Sequence, residues 1–189
     1  MQKKIIERTR LIMAHFAVID TETTYSNEVM SIGVVIADDS SFTRVDGKYY
    51  IVEPACYKPA MYADELDYVD ADFTNDRNKV IRDLKDLLDR YGVTSIFAYN
   101  ASFDRSHLPE LHQYDWFDIM RIAANRNYNS AIPVGADCYS NGKLKRGYGV
   151  EPMLRMLDVA DYTETHNAYN DALDELKIMR CLGISVNRY

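Results

Sequence analysis

The feature that most constrains the fold is a short apolar run at residues 16–19 that leads into two carboxylates, Asp20 and Glu22. In an extended strand, residues i and i+2 point to the same face, so these carboxylates should project side by side from a buried strand. Adjacent negative charges resist burial unless a cation lies between them, and oxygen ligands suit Mg²⁺ or Mn²⁺. The segment predicts either half of a metal site or a strand that ends in a solvated acidic turn.

The composition is that of an ordinary globular protein. Hydrophobic residues make up 47% of the 189 residues, yet no apolar run reaches the ~20 residues that a membrane span needs. The cysteines at 56, 138 and 181 are widely spaced, which argues against a disulfide framework or a zinc site and predicts a cytoplasmic location. We expect residues 1–12 to be an extension upstream of a natural start at Met13, and residues 13–189 to form one domain.

The net charge of −7 restricts the nucleic acids that the chain could bind. Proteins that track along many phosphates usually carry a basic stripe, because charge neutralisation dominates such binding. An acidic chain can still bind a short stretch of nucleic acid if metal ions supply positive charge locally. The charge therefore indicates either no nucleic-acid binding or binding to a short segment.

The order of the predicted elements indicates an α/β layer fold. After the opening strand, β-branched runs predict two more strands, with a hairpin turn at Asp46–Gly47, so that three strands form an antiparallel meander. The other elements follow from apolar spacing. In chain order they are strands at 29–37 and 48–53, a loop at 54–73, a helix at 76–91, a strand at 93–99, a helix through Leu111, a helix at 116–125, a loop at 127–149, and helices at 150–157 and 167–182.

Two further acidic positions accompany the first pair. Asp104 follows the strand at 93–99, and sites in α/β proteins are built where strands end. His166 and Asp171 are five residues apart, about 140° on a helix, so they could share a site only if His166 precedes the helix. Taken singly, Asp104 could be a helix-entry residue and His166 a solvated loop histidine.

Together, D-x-E at Asp20 and Glu22, N-x-x-F-D ending at Asp104, and H-x4-D from His166 to Asp171 resemble the DEDDh 3′→5′ exonucleases. These are DnaQ-like members of the ribonuclease-H-like superfamily. The resemblance implies a mixed sheet, with the antiparallel meander plus parallel strands, flanked by helices. It also implies that the four carboxylates hold two Mg²⁺ or Mn²⁺ ions. His166 would act as general base, and nucleoside 5′-monophosphates would be released from the 3′ end of DNA or RNA.

The resemblance also suggests substrate contacts around these motifs. Thr23 and Thr24 would bind the terminal nucleotide, and Tyr25 and Phe103 are candidates for base stacking, which is indifferent to sequence. Asn100 could contact the substrate or only fix its turn. A basic cluster could meet phosphates upstream of the terminus or be a solvated loop; it comprises Arg121, Arg126, Lys143, Lys145 and Arg146. We expect single-stranded or short 3′ ends as partners.

Two rival functions fit the same fold. One is an endonuclease of the ribonuclease H kind, and the other is a catalytically inactive ribonuclease-H-like module that binds nucleic acid. The H-x4-D spacing argues against the endonuclease. The presence of all five motif residues argues against the inactive module.

Overall fold

A six-stranded mixed sheet forms the centre of the protein. The computed structural model describes residues 14–159 and 162–189, so the expected extension at residues 1–12 lies outside the described part. In space the strands follow the order β4-β3-β2-β1-β5-β6. In chain order the elements are β1 (His15–Thr23), β2 (Val29–Asp38), β3 (Arg44–Glu53), β4 (Phe73–Asp76), α1 (Arg77–Arg90), β5 (Ser95–Ala98), α2 (Ser102–His107), β6 (Asp115–Asp118), α3 (Ile119–Ala123), α4 (Val150–Met156) and α5 (Ala168–Leu182).

The first three strands pair antiparallel, and the remaining pairs are parallel. β2 lies between β1 and β3 in the predicted meander, whereas β4 joins β3, β5 joins β1, and β6 joins β5 in parallel. The predicted mixed α/β architecture is therefore confirmed. Because β1, β5 and β6 run in the same direction, their carboxyl ends lie at one edge of the sheet, where α/β proteins build their sites.

The hairpin turn predicted at Asp46–Gly47 is wrong. Both residues lie inside β3, where Gly47 pairs with Val35 of β2, and the chain turns earlier, at residues 39–43. Gly47 serves packing instead, since a Cβ at this position would lie 2.9 Å from the hydroxyl oxygen of Tyr169. An Asp-Gly pair favours a tight turn only when the strands on both sides end there.

The helix predicted at 116–125 is wrong over its first residues. The segment Asp115–Asp118 forms β6, paired with β5, and α3 begins only at Ile119. Asp118 marks the change, because its carboxylate accepts a hydrogen bond from the backbone N–H of Met120 at 3.0 Å. The two central residues of the strand, Trp116 and Phe117, are aromatic and fit the half-buried surface of a sheet.

The two long predicted helices are confirmed as α1 and α5. Asp76 caps α1 by accepting the N–H of Lys79 at 3.1 Å, and Asn167 caps α5. Gly183, with φ of 59°, ends α5 in the left-handed conformation. The helix predicted through Leu111 ends earlier, as α2, and the loop predicted at 54–73 gives way to the unpredicted strand β4. Among the described helices, none is long and apolar enough to cross a membrane.

Helices cover both faces of the sheet. α1 packs on one face, where Leu84, Leu87 and Leu88 are fully buried against alternate residues of β1 and β2. α3, α4 and α5 pack on the other face around Phe16 and Val18. Burial of each such aliphatic side chain contributes ~1.5–3 kcal/mol to the stability of the fold. The two cores therefore hold the sheet edge in a fixed shape.

The N-terminus of α5 touches the backbone of the sheet at Gly33. A Cβ at this position would clash with the carbonyl of Ala168 and the N–H of Tyr169, so only glycine permits the contact. Gly33 pairs directly with Asp20 across β1 and β2. The contact therefore places the first turn of α5 beside the first of the predicted acidic residues.

Candidate active site

Four acidic side chains from three elements meet at the carboxyl end of β1. The residues of β1 alternate between the two cores, and this alternation directs Asp20 and Glu22 toward α5. Asp104 comes from α2, which follows β5, and Asp171 comes from the first turn of α5. The charges of Asp104, Asp171 and Glu22 all act on Asp20, so the structure brings the four predicted carboxylates together.

Burial, together with neighbouring negative charges, raises the pKa of each of these carboxyls. Burial is the largest cause for Asp20, whose pKa lies well above its usual range, and the neighbouring Asp104 adds to it. Burial also raises the pKa of Glu22 and of Asp171 to about 8, and that of Asp104 to about 7. Near neutral pH, ionising all four groups without a counter-ion costs folding free energy.

Asp104 is held by a hydrogen bond from the same strand that carries Asp20. The Thr21 hydroxyl donates to Asp104 Oδ1 at 2.8 Å, and both side chains are buried. This bond favours the ionised form of Asp104 and so opposes the effect of burial on its pKa. It also fixes the orientation of the carboxylate, because only one lone-pair direction meets the hydroxyl.

His166 lies in the loop before α5, as the five-residue spacing requires. Its φ of 51° is left-handed, and its ring stacks on Tyr62 with 3.8 Å between ring centroids and 14° between ring planes. Donor atoms of His166, Glu22 and Asp171 all lie within 4.8 Å of one another. The turn and the stacked ring therefore present the imidazole to the carboxylate cluster.

Sequence reasoning missed two residues of this site. Glu175 is fully buried in α5 one turn after Asp171, and burial, with the charge of Asp104, raises its pKa well above the usual range. Its i+4 spacing from Asp171 was the signal that could have identified it. Tyr62 comes from the irregular segment after β3, and no sequence signal connects it to His166.

Comparison with known proteins gives a clear result for the fold. The sequence matches no protein-family model and no curated protein sequence. Among solved structures it is similar to Escherichia coli exonuclease I in a zinc-bound complex with single-stranded DNA, with TM-score 0.61 and 15% identity over 90% of this chain and 40% of that one. It is also similar to the nuclease domain of 3'hExo, a DEDDh family member bound to rAMP, with TM-score 0.63 and 14% identity over 89% and 90% of the two chains.

The chain has the DEDDh exonuclease fold. A third similar structure, a 3′-exonuclease that recognises the 3′ end of a histone mRNA stem-loop, has TM-score 0.65 and 14% identity, over 90% of this chain and 64% of that one. The predicted architecture and resemblance are confirmed at the level of fold. The chain spans about two fifths of the exonuclease I chain.

Within this DEDDh fold, the donor set suits hard divalent cations. Oxygen Oδ2 of Asp20 and Oδ1 of Asp171 are buried, and neither accepts a hydrogen bond from any described residue. Buried carboxylate oxygens without partners are unfavourable unless a cation binds them. Carboxylate ligands favour Mg²⁺ or Mn²⁺ over softer metals. The residues therefore fit the metal ions that the sequence suggested.

The predicted substrate residues are not equally placed. The Thr24 hydroxyl is buried in the turn after β1, where it accepts the N–H of Glu28 at 3.1 Å, while Thr23 is half-buried at the end of β1. Tyr25 is 68% exposed beside this turn. Phe103 is 40% exposed at the start of α2. Tyr25 and Phe103 thus both present aromatic surface to solvent.

Asn100 occupies the turn between β5 and α2. Its φ of 64° is left-handed, and its backbone N–H donates to Asp118 Oδ1 at 3.0 Å, which ties the ends of β5 and β6 together. Its side-chain Oδ1 lies 3.3 Å from the hydroxyl of Ser102. The residue therefore fixes its turn, and its side chain lies at the edge of the sheet that carries the carboxylates.

The predicted basic cluster divides into structural and exposed members. Arg126 donates to the carbonyls of Pro133 and Ala136 at 3.1 and 3.0 Å, so it holds the segment between α3 and α4. Lys145 forms an ion pair with Asp137 at 2.9 Å. The side chains of Arg121, Lys143 and Arg146 are exposed.

Proposed function

We propose that the protein is a metal-dependent 3′→5′ exonuclease that releases nucleoside 5′-monophosphates from DNA or RNA. One observation carries this proposal. Asp20, Glu22, Asp104, Asp171 and His166 converge at one edge of a fold shared with 3′-exonucleases. A solvated acidic turn would not combine four buried or half-buried carboxyls with raised pKa values and a histidine stacked in place.

The four carboxylates would hold two Mg²⁺ or Mn²⁺ ions, which supply positive charge to the scissile phosphate and make a bound water more acidic. The side chains of this chain have separate tasks. The charges of Asp104, Asp171 and Glu22 all act on Asp20, so Asp20 would hold the metal ions together with these three residues. Thr21 keeps Asp104 oriented through its hydroxyl.

His166 would act as general base and take the proton of the attacking water. An imidazole nitrogen can accept a proton and later release it, which suits this task. The stacked ring of Tyr62 restricts rotation of the imidazole and leaves its edge free for the proton. The water then attacks the terminal phosphodiester in line with the leaving 3′ oxygen of the preceding nucleotide.

Substrate residues would orient the end of the strand. Tyr25 and Phe103 offer exposed aromatic faces on which the terminal bases could stack, and Thr23 and Asn100 lie at the same sheet edge. The acidic balance of the chain favours single-stranded or short 3′ ends over long duplexes.

The test compares 5′-labelled single-stranded DNA, single-stranded RNA and duplex DNA, each with Mg²⁺ and with Mn²⁺. We expect mononucleotide release from the 3′ end, lost in Asp20→Ala and slowed ~10²–10⁴-fold in His166→Ala. His112→Ala is the matched control, because His112 is exposed and, within the described residues, its ring hydrogen-bonds only to the backbone carbonyl of Arg105, at 2.9 Å. It should keep full activity.

Two outcomes would contradict the proposal. Internal cutting of an oligonucleotide with a blocked 3′ end, at the rate of the unblocked one, would indicate an endonuclease. Binding of oligonucleotides with no release of nucleotides under either metal would indicate an inactive binding module. In either case the metal site can still be judged by calorimetry, since Asp171→Ala should remove divalent-ion binding.

A further inference from the structure

A second concave surface lies beside the carboxylate cluster. It is a groove of about 470 Å³, within the ~300–1,000 Å³ range of ligand pockets. Its lining includes Tyr99, Asn100, Tyr139, Lys143 and Tyr148. We call it the tyrosine–lysine groove. Its lining contains two lysines and no carboxylate, which is unusual in a chain with a net charge of −7.

The segment between α3 and α4 forms the outer wall of this groove, and internal hydrogen bonds hold it in place. The Tyr99 hydroxyl donates to the carbonyl of Tyr148 at 2.6 Å, which joins the segment to the end of β5. Leu144 is buried, and its N–H donates to the carbonyl of Ala124 at 2.8 Å. Arg126 bonds three carbonyls within the same segment. The groove is thus formed before any ligand arrives, which lowers the entropy cost of binding.

The exposed groups of the groove match single-stranded nucleic acid. Tyr139 is 56% exposed and Tyr148 is 42% exposed, so both offer ring faces for base stacking. Lys145 Nζ lies 5.6 Å from the centre of the Tyr139 ring while paired with Asp137, which holds that ring in place. Lys143 is exposed and forms no ion pair within the described ranges, so its charge is available for a phosphate.

The position of the groove relative to the carboxylates gives the binding a direction. Asn100 and Tyr99 follow β5, which pairs with β1, and adjacent strands lie ~5 Å apart. Burial, followed by the charge of Glu175 among the carboxylates, raises the pKa of the Tyr99 hydroxyl. A strand whose 3′ end reached Asp20 would therefore lie beside the Tyr99 and Asn100 end of the groove.

We propose that the tyrosine–lysine groove binds the single-stranded segment immediately upstream of the 3′ end, through stacking on Tyr139 and Tyr148 and a phosphate contact from Lys143. The inference deepens the proposed exonuclease function and rests on it for the polarity of the strand. It assigns this chain a substrate class, namely single strands several nucleotides long. An acidic peptide would use the lysine but gain little from two tyrosine faces held in place.

Binding is tested separately from catalysis. In a His166→Ala background with Mg²⁺, anisotropy of fluorescent single-stranded DNA and RNA 10-mers gives the affinity. Adding Tyr139→Ala should weaken binding about 5- to 100-fold. Adding Lys143→Ala should reduce the slope of log affinity against log salt by ~0.7. The controls are Tyr128→Ala, an aromatic change in the same segment outside the groove, and Lys79→Ala on α1 at the other face of the sheet.

Activity assays distinguish a wrong assignment of the groove from a wrong assignment of the exonuclease function. In otherwise unmodified protein, Tyr139→Ala and Lys143→Ala should lower kcat/KM for a 10-mer about 5- to 100-fold and leave hydrolysis of thymidine 5′-monophosphate p-nitrophenyl ester unchanged. Equal kcat/KM and equal affinity in variants and controls would show that the groove does not bind the substrate. If no variant or wild-type protein hydrolyses any substrate but the binding differences remain, the exonuclease proposal is wrong and the groove is a single-strand binding site.

Discussion

Replacement of Asp171 by asparagine should stabilise the metal-free protein at alkaline pH. Burial, followed by the charge of Glu164, raises the pKa of Asp171 from 3.8 to about 8. At ~1.4 kcal/mol per pKa unit, ionising this carboxyl in the folded protein costs up to ~6 kcal/mol. Glu164 is only half-buried, so water screens part of the repulsion and reduces the expected gain to ~3 kcal/mol. Loss of the carboxylate at the N-terminus of α5 removes at most ~1 kcal/mol, so the gain prevails.

The pH dependence follows from the direction of the shift. Because the pKa of Asp171 is higher in the folded protein than in the unfolded chain, the folded protein binds more protons between pH ~4 and ~8. The stability of the wild type should therefore fall as pH rises through this window. Asp171→Asn lacks this titration, so it should match the wild type near pH ~4 and exceed it near pH ~8.5.

Thermal unfolding followed by circular dichroism in a chelating buffer measures this difference. For a domain of this size, ~3 kcal/mol corresponds to a melting temperature raised by roughly 6–12 °C at pH ~8.5. Mg²⁺ or Mn²⁺ should raise the melting temperature of the wild type more than that of the variant. Asp86→Asn, at an exposed position of α1, should change nothing. If Asp171→Asn melts at or below the wild type at alkaline pH, the carboxylates do not repel one another as the structure requires.

Three further substitutions test the supports of the site. Gly33→Ala forces α5 away from the sheet and should lower the free energy of unfolding by more than ~3 kcal/mol in urea titrations; a folded, fully active variant would contradict the close contact. Thr21→Val removes the 2.8 Å bond to Asp104 and should lower kcat ~10- to 100-fold and the free energy of unfolding by ~1–3 kcal/mol, because a buried acceptor loses its donor, and Thr21→Ser should restore both. Tyr62→Leu leaves His166 without its stacked partner and should lower kcat several-fold, whereas unchanged kcat would show that the ring is held by other groups.

The sequence was sufficient to predict the elements that carry local, repeated signals. The first strand and the meander follow from apolar and β-branched runs, and α1 and α5 follow from apolar residues at helical spacing. The position of His166 outside α5 followed from rotation along a helix, because five residues cannot return to the same face. The convergence of the carboxylates could be anticipated only through the ordered set of motifs.

Features that depend on tertiary contacts were not predictable in this way. β4 and β6 are four residues long, too short for an alternating pattern, and they exist because β3 and β5 offer a parallel edge. Tyr62 reaches His166 from a segment without periodicity. Glu175 lies on the buried face of α5, where a carboxylate is expected only if other charged groups share the space.

The contact at Gly33 determines how the spacing of the site responds to change elsewhere. Asp20 and Glu22 are attached to β1 and Asp171 to α5, and α5 meets the sheet through main-chain atoms at Gly33, which pairs with Asp20. Side chains in the core can change rotamer or be exchanged in the course of evolution without altering a distance that is set by main-chain atoms. The spacing of the site therefore depends on a position that has no Cβ. A transfer of the five motif residues onto another scaffold would also need a glycine at the matching position.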